Sequence, residues 1–228
     1  MRFQNNLFNS IKTKILAVLL LGVMAGWAQN DYSINTKESS FTYYMHHKLH
    51  SWSATSRAAS GAIQSSPDWK SADISVKIPV LSFDSHNRNR DSHMGEVIES
   101  YIFHDVIFKG KVVALDSLQS VAGNQRFIWK VAGQLTFHGV TRPLEVPVQC
   151  SVQDNQLQAS GEFNLKLTDF DIKLPSLLGM KVKDSLRMVF NVVADQKLPG
   201  VANRHGQINH LKSEAAPNIP GVRQAGSN

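Results

Sequence analysis

The sequence predicts an all-β chain of antiparallel strands with one short amphipathic helix. Apolar and polar side chains alternate with a period of two over several stretches, which places successive side chains on opposite faces of an extended chain. The stretches are joined by turn pairs such as His138-Gly139 and Asp154-Asn155, far too short for the crossovers that parallel strands need. Only the segment from 91 to 101 adopts the helical period.

In chain order, residues 1–28 come first. Arg2, Lys12 and Lys14 precede the apolar run Ile15–Val23 and the small-residue pattern Gly26-Trp27-Ala28. This is the layout of an export leader, with cleavage expected after about Ala28 and, in a bacterium, a periplasmic mature protein. Phe41, Tyr43 and Met45 form a weak opening strand, and Ile74, Val76, Ile78 and Val80 a clear one. Met94, Val97, Ile98 and Tyr101 then recur at i, i+3, i+4 and i+7, with Asp91 placed to cap the helix and Gly95 a cost inside it of about 1 kcal/mol relative to alanine. Residues 103–113 read as strand without a clear inward parity. Trp129, Val131, Leu135 and Phe137 alternate with polar residues, as do Leu144, Val146, Val148, Cys150 and Val152. Leu157, Ala159, Phe163, Leu165 and Leu167 follow, and Leu186, Met188, Phe190 and Val192 close the series. Pro79 and Pro147 fall at outward parity, which favours edges or bulges. Residues 196–228, rich in Gly and Pro and without periodicity, read as a disordered, mildly cationic tail.

Composition limits the function. A chain of 228 residues, 42% hydrophobic and 18% charged, with one cysteine, is neither collagenous, low-complexity nor a disulfide scaffold. Its net charge of +6 sits on the two ends, because residues 29–195 carry as many acidic as basic side chains. A nucleic-acid partner is therefore not expected. Cys150 shares parity with its valine neighbours and reads as a small buried hydrophobe. No nucleophile elbow, P-loop or dinucleotide glycine pattern is present, and Asp169 and Asp171 read as residues of a solvated turn.

Nine histidines motivate a second reading. His46 and His50 share a strand face, and with His93 they could form a metal-dependent enzyme or redox accessory. One-sided sheets must stack or close. Parity leaves sandwich and barrel open, as well as a hollow interior and a solid core serving an envelope interaction module.

Two longer motifs bear on that choice. Ser82-Phe83-Asp84-Ser85 with Asn89-Arg90-Asp91-Ser92-His93-Met94, and Gly133 to Pro143 reading GQLTFHGVTRP, resemble the signatures of the YceI-like lipid and polyisoprenoid-binding family. Tyr32-Ser33-Ile34 and Phe170-Asp171-Ile172 fit as well, so the resemblance spans about residues 31–195, within an expected barrel domain of residues 29–195. It implies a lipocalin-like eight-stranded antiparallel barrel with a helix at one end, an exported and often dimeric protein, and no covalent chemistry. The interior would hold a long isoprenoid quinone, polyprenyl or fatty-acyl compound as ligand, with no other cofactor and no metal, and peripheral membrane contact is compatible with the cationic ends. The expected ligand-binding residues are Phe41, Tyr43, Ile78, Met94, Ile98, Tyr101, Trp129, Val131, Phe137, Phe163, Leu165, Met188 and Phe190. Arg90 and His93 would either bond the polar head of the ligand or tie the helix to the barrel rim.

Overall fold

The stretches with period-two alternation are strands. The computed structural model describes residues 29–197 apart from 48, 49, 122, 175, 178 and 179. The expected leader over 1–28, and the expected tail from residue 198 on, lie outside the described residues. The strands are β1 (Asn30–Ile34), β2 (Ser40–His46), β3 (Ser51–Ser56), β4 (Ser60–Ser65), β5 (Ala72–Pro79), β6 (Asp105–Val121), β7 (Asn124–Phe137), β8 (Val140–Gln153), β9 (Gln156–Lys166) and β12 (Ser185–Gln196). A small hairpin of β10 (Ser176–Leu177) and β11 (Met180–Lys181) precedes β12, and one helix, α1 (Arg88–Val97), lies between β5 and β6.

Every pairing is antiparallel, in the order β1-β4-β5-β6-β7-β8-β9-β12, and β12 pairs back onto β1. β2 continues β1 along the same edge of β12, pairing Phe41 with Phe190, and β3 pairs with β2. β1 with β2, and β3 with β4, thus act as two interrupted staves, and the whole is a closed eight-strand barrel. The first interruption is stitched by Ser39, which is fully buried: its hydroxyl donates to the Val193 carbonyl and accepts from the Val193 N–H, both at 3.1 Å.

Local chemistry explains the shape. Both expected turns hold two left-handed residues, His138 (φ 49°) with Gly139 (φ 73°) and Asp154 (φ 50°) with Asn155 (φ 65°), the geometry that suits the twist of a tight hairpin. A Cβ at Gly139 would also lie 2.6 Å from the Phe103 ring. Residues 103–113 hid their parity because the apolar Ile107 stands between the inward Val106 and Phe108 and Gly110 takes the next inward position; further along, the register of β6 with β7 shifts twice, between Val112 and Ala114 and between Asp116 and Leu118. Each bulge turns the side chains that follow it. Pro147 stands near the point where the β8–β9 ladder ends at Gln149↔Ser160, although β8 runs on to Val140 and β9 to Lys166. A residue without an N–H at outward parity suits such a seam.

An aromatic plug closes one end of the barrel. Trp129 and Phe127 stack with Trp69, whose loop precedes β5, at ring distances of 6.1 and 5.0 Å. The Trp129 indole donates to the Trp69 carbonyl at 2.7 Å, and the Trp69 indole donates to Gln125 at 2.6 Å. Cys150 is buried as expected, and that burial pushes its thiol ionisation up, so it behaves as a hydrophobe and not as a nucleophile.

Candidate functional site

At the other end, where β5 finishes, α1 lies across the barrel. Its N-cap is Asn87, whose side chain accepts from the Arg90 N–H at 3.1 Å. Asp91, expected at the cap, instead sits in the first turn, where both carboxylate oxygens accept from the Ser85 N–H at 3.2 Å. The helix therefore starts and stops earlier than its apolar spacing suggested. The residues that line the interior are Asp91, Ser92, Met94 and Gly95, with Ile98 at the C-cap, while Tyr101 falls beyond the last turn and is 71% exposed. Tyr101 is thus corrected from a lining residue to a surface one. Gly95 permits the close seat of α1: a Cβ there would lie 3.2 Å from both the Leu81 side chain and the Ser100 hydroxyl.

Between helix and plug the barrel is hollow. A cavity of about 340 Å³ runs along the inner face, within the range of roughly 300–1,000 Å³ typical of small-molecule sites and far larger than a packing void. It is lined by Phe41 and Tyr43 of β2, Ile78 of β5, Met94 of α1 and Ile98 at its C-cap, Trp129, Val131 and Phe137 of β7, Phe163 and Leu165 of β9, and Met188 and Phe190 of β12. All of these were expected from parity or the helical stripe. Leu81, in the turn Val80–Ser82, also lines the cavity and is 72% exposed. The cavity therefore reaches the surface beside that turn; the segment that carries the exposed Tyr101 and Ile102 is tied to it where the Val80 N–H donates to the His104 carbonyl at 2.8 Å.

The polar groups differ from expectation. Arg90 and His93 do not line the cavity. The Arg90 guanidinium stacks 5.9 Å above the Trp52 ring, and His93 pairs with Glu96 at 3.5 Å on the exposed side of the helix. Arg90 thus ties the helix to β3, the alternative role expected of it, and neither residue is part of the cavity wall. Asp91, Ser92 and the Tyr43 hydroxyl are the polar groups of the wall. Burial first, then the charge of Asp91, pushes the Tyr43 phenol up to about 12, so it is a neutral donor and acceptor at neutral pH. Sequence reasoning placed Asp91 at a cap because it weighed helix chemistry alone; its i, i+3, i+4, i+7 relation to Met94, Gly95 and Ile98 was the available signal.

The histidine reading does not assemble. His46 bonds the Ser51 hydroxyl at 2.5 Å, and His50 packs against Trp52 with ring centroids 5.5 Å apart. Among the described residues no group of three or more His, Cys, Asp or Glu side chains could hold a metal ion. Asp169 and Asp171 lie in and just after the 3-10 turn Leu167–Phe170, with Asp171 left-handed, and form no wall of the cavity.

His138, in the second motif, has a structural task. Its ring nitrogens contact the Phe170 carbonyl at 2.9 Å and the Glu99 carboxylate at 3.1 Å, and Arg142 donates to the Asp169 carbonyl at 2.8 Å. The β7–β8 turn is thereby clasped to the segment after α1 and to the turn after β9. His138→Ala is expected to lower stability by about 1–3 kcal/mol in urea unfolding through loss of a charge-assisted and a neutral bond at a largely buried site.

A closed antiparallel barrel around an apolar, surface-connected cavity, with a helix across one end, defines a lipocalin-like binding protein. The sequence matches the YceI-like domain over residues 32–194, and the chain belongs to that family. Similar folds are seen in BcnA of Burkholderia cenocepacia (15% identity, TM-score 0.57, covering 70% of this chain and 98% of that one). They are seen too in a polyisoprenoid binding domain from Saccharophagus degradans implicated in plant cell wall breakdown (13% identity, TM-score 0.59, covering 73% and 98%). At such identities the likeness is one of fold. No protein with a curated description matches the chain.

Proposed function

We propose that this chain binds and carries a long-chain amphiphilic lipid, an isoprenoid quinone, polyprenyl or fatty-acyl compound, inside its barrel and performs no covalent chemistry on it. The observation that carries this reading is the cavity itself: about 340 Å³, walled almost wholly by aliphatic and aromatic side chains and free of any assembled catalytic pair. The polyisoprenoid binding described for the Saccharophagus degradans domain supports the same ligand class. Exposed Leu81 at the mouth, with exposed Tyr101 and Ile102 in the segment after α1, supports a peripheral membrane contact through which a lipid would enter. The leader-like residues 1–28 support export to the periplasm, and the homodimer rests on the family resemblance alone.

A series of neutral lipids differing only in tail length tests the proposal. Each methylene newly buried should add about 0.8 kcal/mol, about fourfold in affinity, until the tail fills the cavity, after which the gain stops. Affinity independent of tail length would reject the barrel interior as the binding site.

A further inference from the structure

Two neighbouring staves of the barrel are paired over only part of their length. The β8–β9 ladder stops at Gln149↔Ser160, yet β8 stays paired with β7 as far as Val140, and β9 with β12 as far as Lys166. Residues 140–148 and 161–166 are thus held from behind and open towards each other. The two prolines of β8 account for this. The Asp154-Asn155 turn closes on Gln153↔Gln156, and a two-residue hairpin closes on a pair that exchanges both of its hydrogen bonds. Counting back by twos, Gln149, Pro147, Glu145 and Pro143 are the positions whose backbone groups face β9. The Pro147 carbonyl does point that way, since a Cβ at Gly161 would lie 2.9 Å from it. Two of the N–H groups needed to continue the ladder therefore do not exist. Side chains do not bridge the gap either. Glu145 pairs with Lys130 of β7 at 2.8 Å and Glu162 with Arg187 of β12, each on its own side. Among the described residues no side-chain bond crosses from 140–148 to 161–166.

The seam gives onto the cavity. Leu144 and Val146 of β8, Phe163 and Leu165 of β9, and Leu167 just beyond all line it, and the far end of the gap is closed where Arg142 donates to the Asp169 carbonyl at 2.8 Å. In the order of staves the gap lies across the barrel from β5, which runs into the turn that carries Leu81. The cavity is also short for a long lipid. Its volume of about 340 Å³ is little more than twice the roughly 150 Å³ that takes one benzene ring, so it holds a chain of roughly a dozen carbons.

We propose that the β8–β9 seam is a lateral exit through which the tail of a bound lipid leaves the barrel, so that this chain takes lipids longer than its cavity. This rests on the lipid-carrier reading and extends it. Surplus tail that emerges at the seam meets water in the free and the bound state alike, so its length changes the affinity little. Forced into an already filled interior, the same length would overpack the walls.

Two straight-chain alkanols with an apolar diazirine at the tail end test this, one short enough to lie inside the cavity and one far too long for it. Each is bound to the full chain, binding being followed by tryptophan fluorescence because Trp129 lines the cavity. Light then expels dinitrogen, and the carbene inserts into the nearest side chain, which peptide mass spectrometry locates. The long probe is expected to label the exposed seam residues Glu145, Glu162 and Asn164 at least fivefold more than the short one does, and an excess of unlabelled long alkanol should remove that label. A long probe that labels the same residues as the short one, that labels the surroundings of Leu81 and α1 instead, or whose label survives the excess overturns the exit. The carrier reading then stands, because both probes still bind. Saturable binding of neither probe overturns both.

Discussion

Trp129→Ala is expected to cost about 3–5 kcal/mol of stability, measured as a lower urea midpoint. Trp129 is 1% exposed, packs in tilted contact with Phe127 and Trp69, and donates to the Trp69 carbonyl at 2.7 Å. Truncation removes the largest fully buried side chain, leaves a void between plug and cavity, and strands a carbonyl that no other side chain serves. Trp129→Phe should recover the packing but not the bond, for a residual loss of about 1–3 kcal/mol. The loop that carries Trp69 depends on this contact, because Trp69 itself is left-handed at φ 62° and needs its neighbours to hold it there. A loss below about 1 kcal/mol for Trp129→Ala would show that the plug does not organise the closed end.

Phe163→Trp is expected to separate binding from stability. Phe163 faces the cavity from the middle of β9, opposite Met188 of β12. In a solid core the extra ring volume would cost about 1–3 kcal/mol through overpacking. In a hollow barrel the larger ring enters space that the lipid tail would occupy. Stability should then change by less than about 1 kcal/mol while lipid affinity drops at least tenfold. Destabilisation without loss of binding would mean that the tail lies elsewhere.

Why some of this was legible in the sequence follows from how each element is stabilised. β5, β7, β8, β9 and β12 are long or strictly alternating strands with one face on the interior, so each inward side chain reports its own position. β1, β3 and β4 are short, and β3 and β4 are rich in serine; they are held by their neighbours and by stitches such as Ser39, which leave no periodic trace. β6 hid its inward residues Val106 and Phe108 because Ile107 between them is apolar as well and the next inward position is Gly110. Helix α1 was visible, but its phase was not. The apolar stripe continues past the helix end to Tyr101, whereas the cap at Asn87 turns Asp91 inward. Charge near the rim suggested Arg90 and His93 as polar contacts, and only the fold shows Arg90 spent on Trp52 and His93 on Glu96, with neither on the cavity wall. The motif glycine and histidine at the β7–β8 turn were legible as turn chemistry, whereas the clasp from His138 to Glu99 and Phe170 joins residues 39 and 32 positions apart and depends on barrel closure.

The most direct test of the central claim is chemical. Protein purified without detergent from a bacterial envelope can be extracted with organic solvent and the extract quantified by mass spectrometry. The account predicts close to one molecule of a long-chain lipid per barrel, and clearly less in the extract of Phe163→Trp. An extract free of lipid, from a chain that also takes up no added isoprenoid, would contradict it.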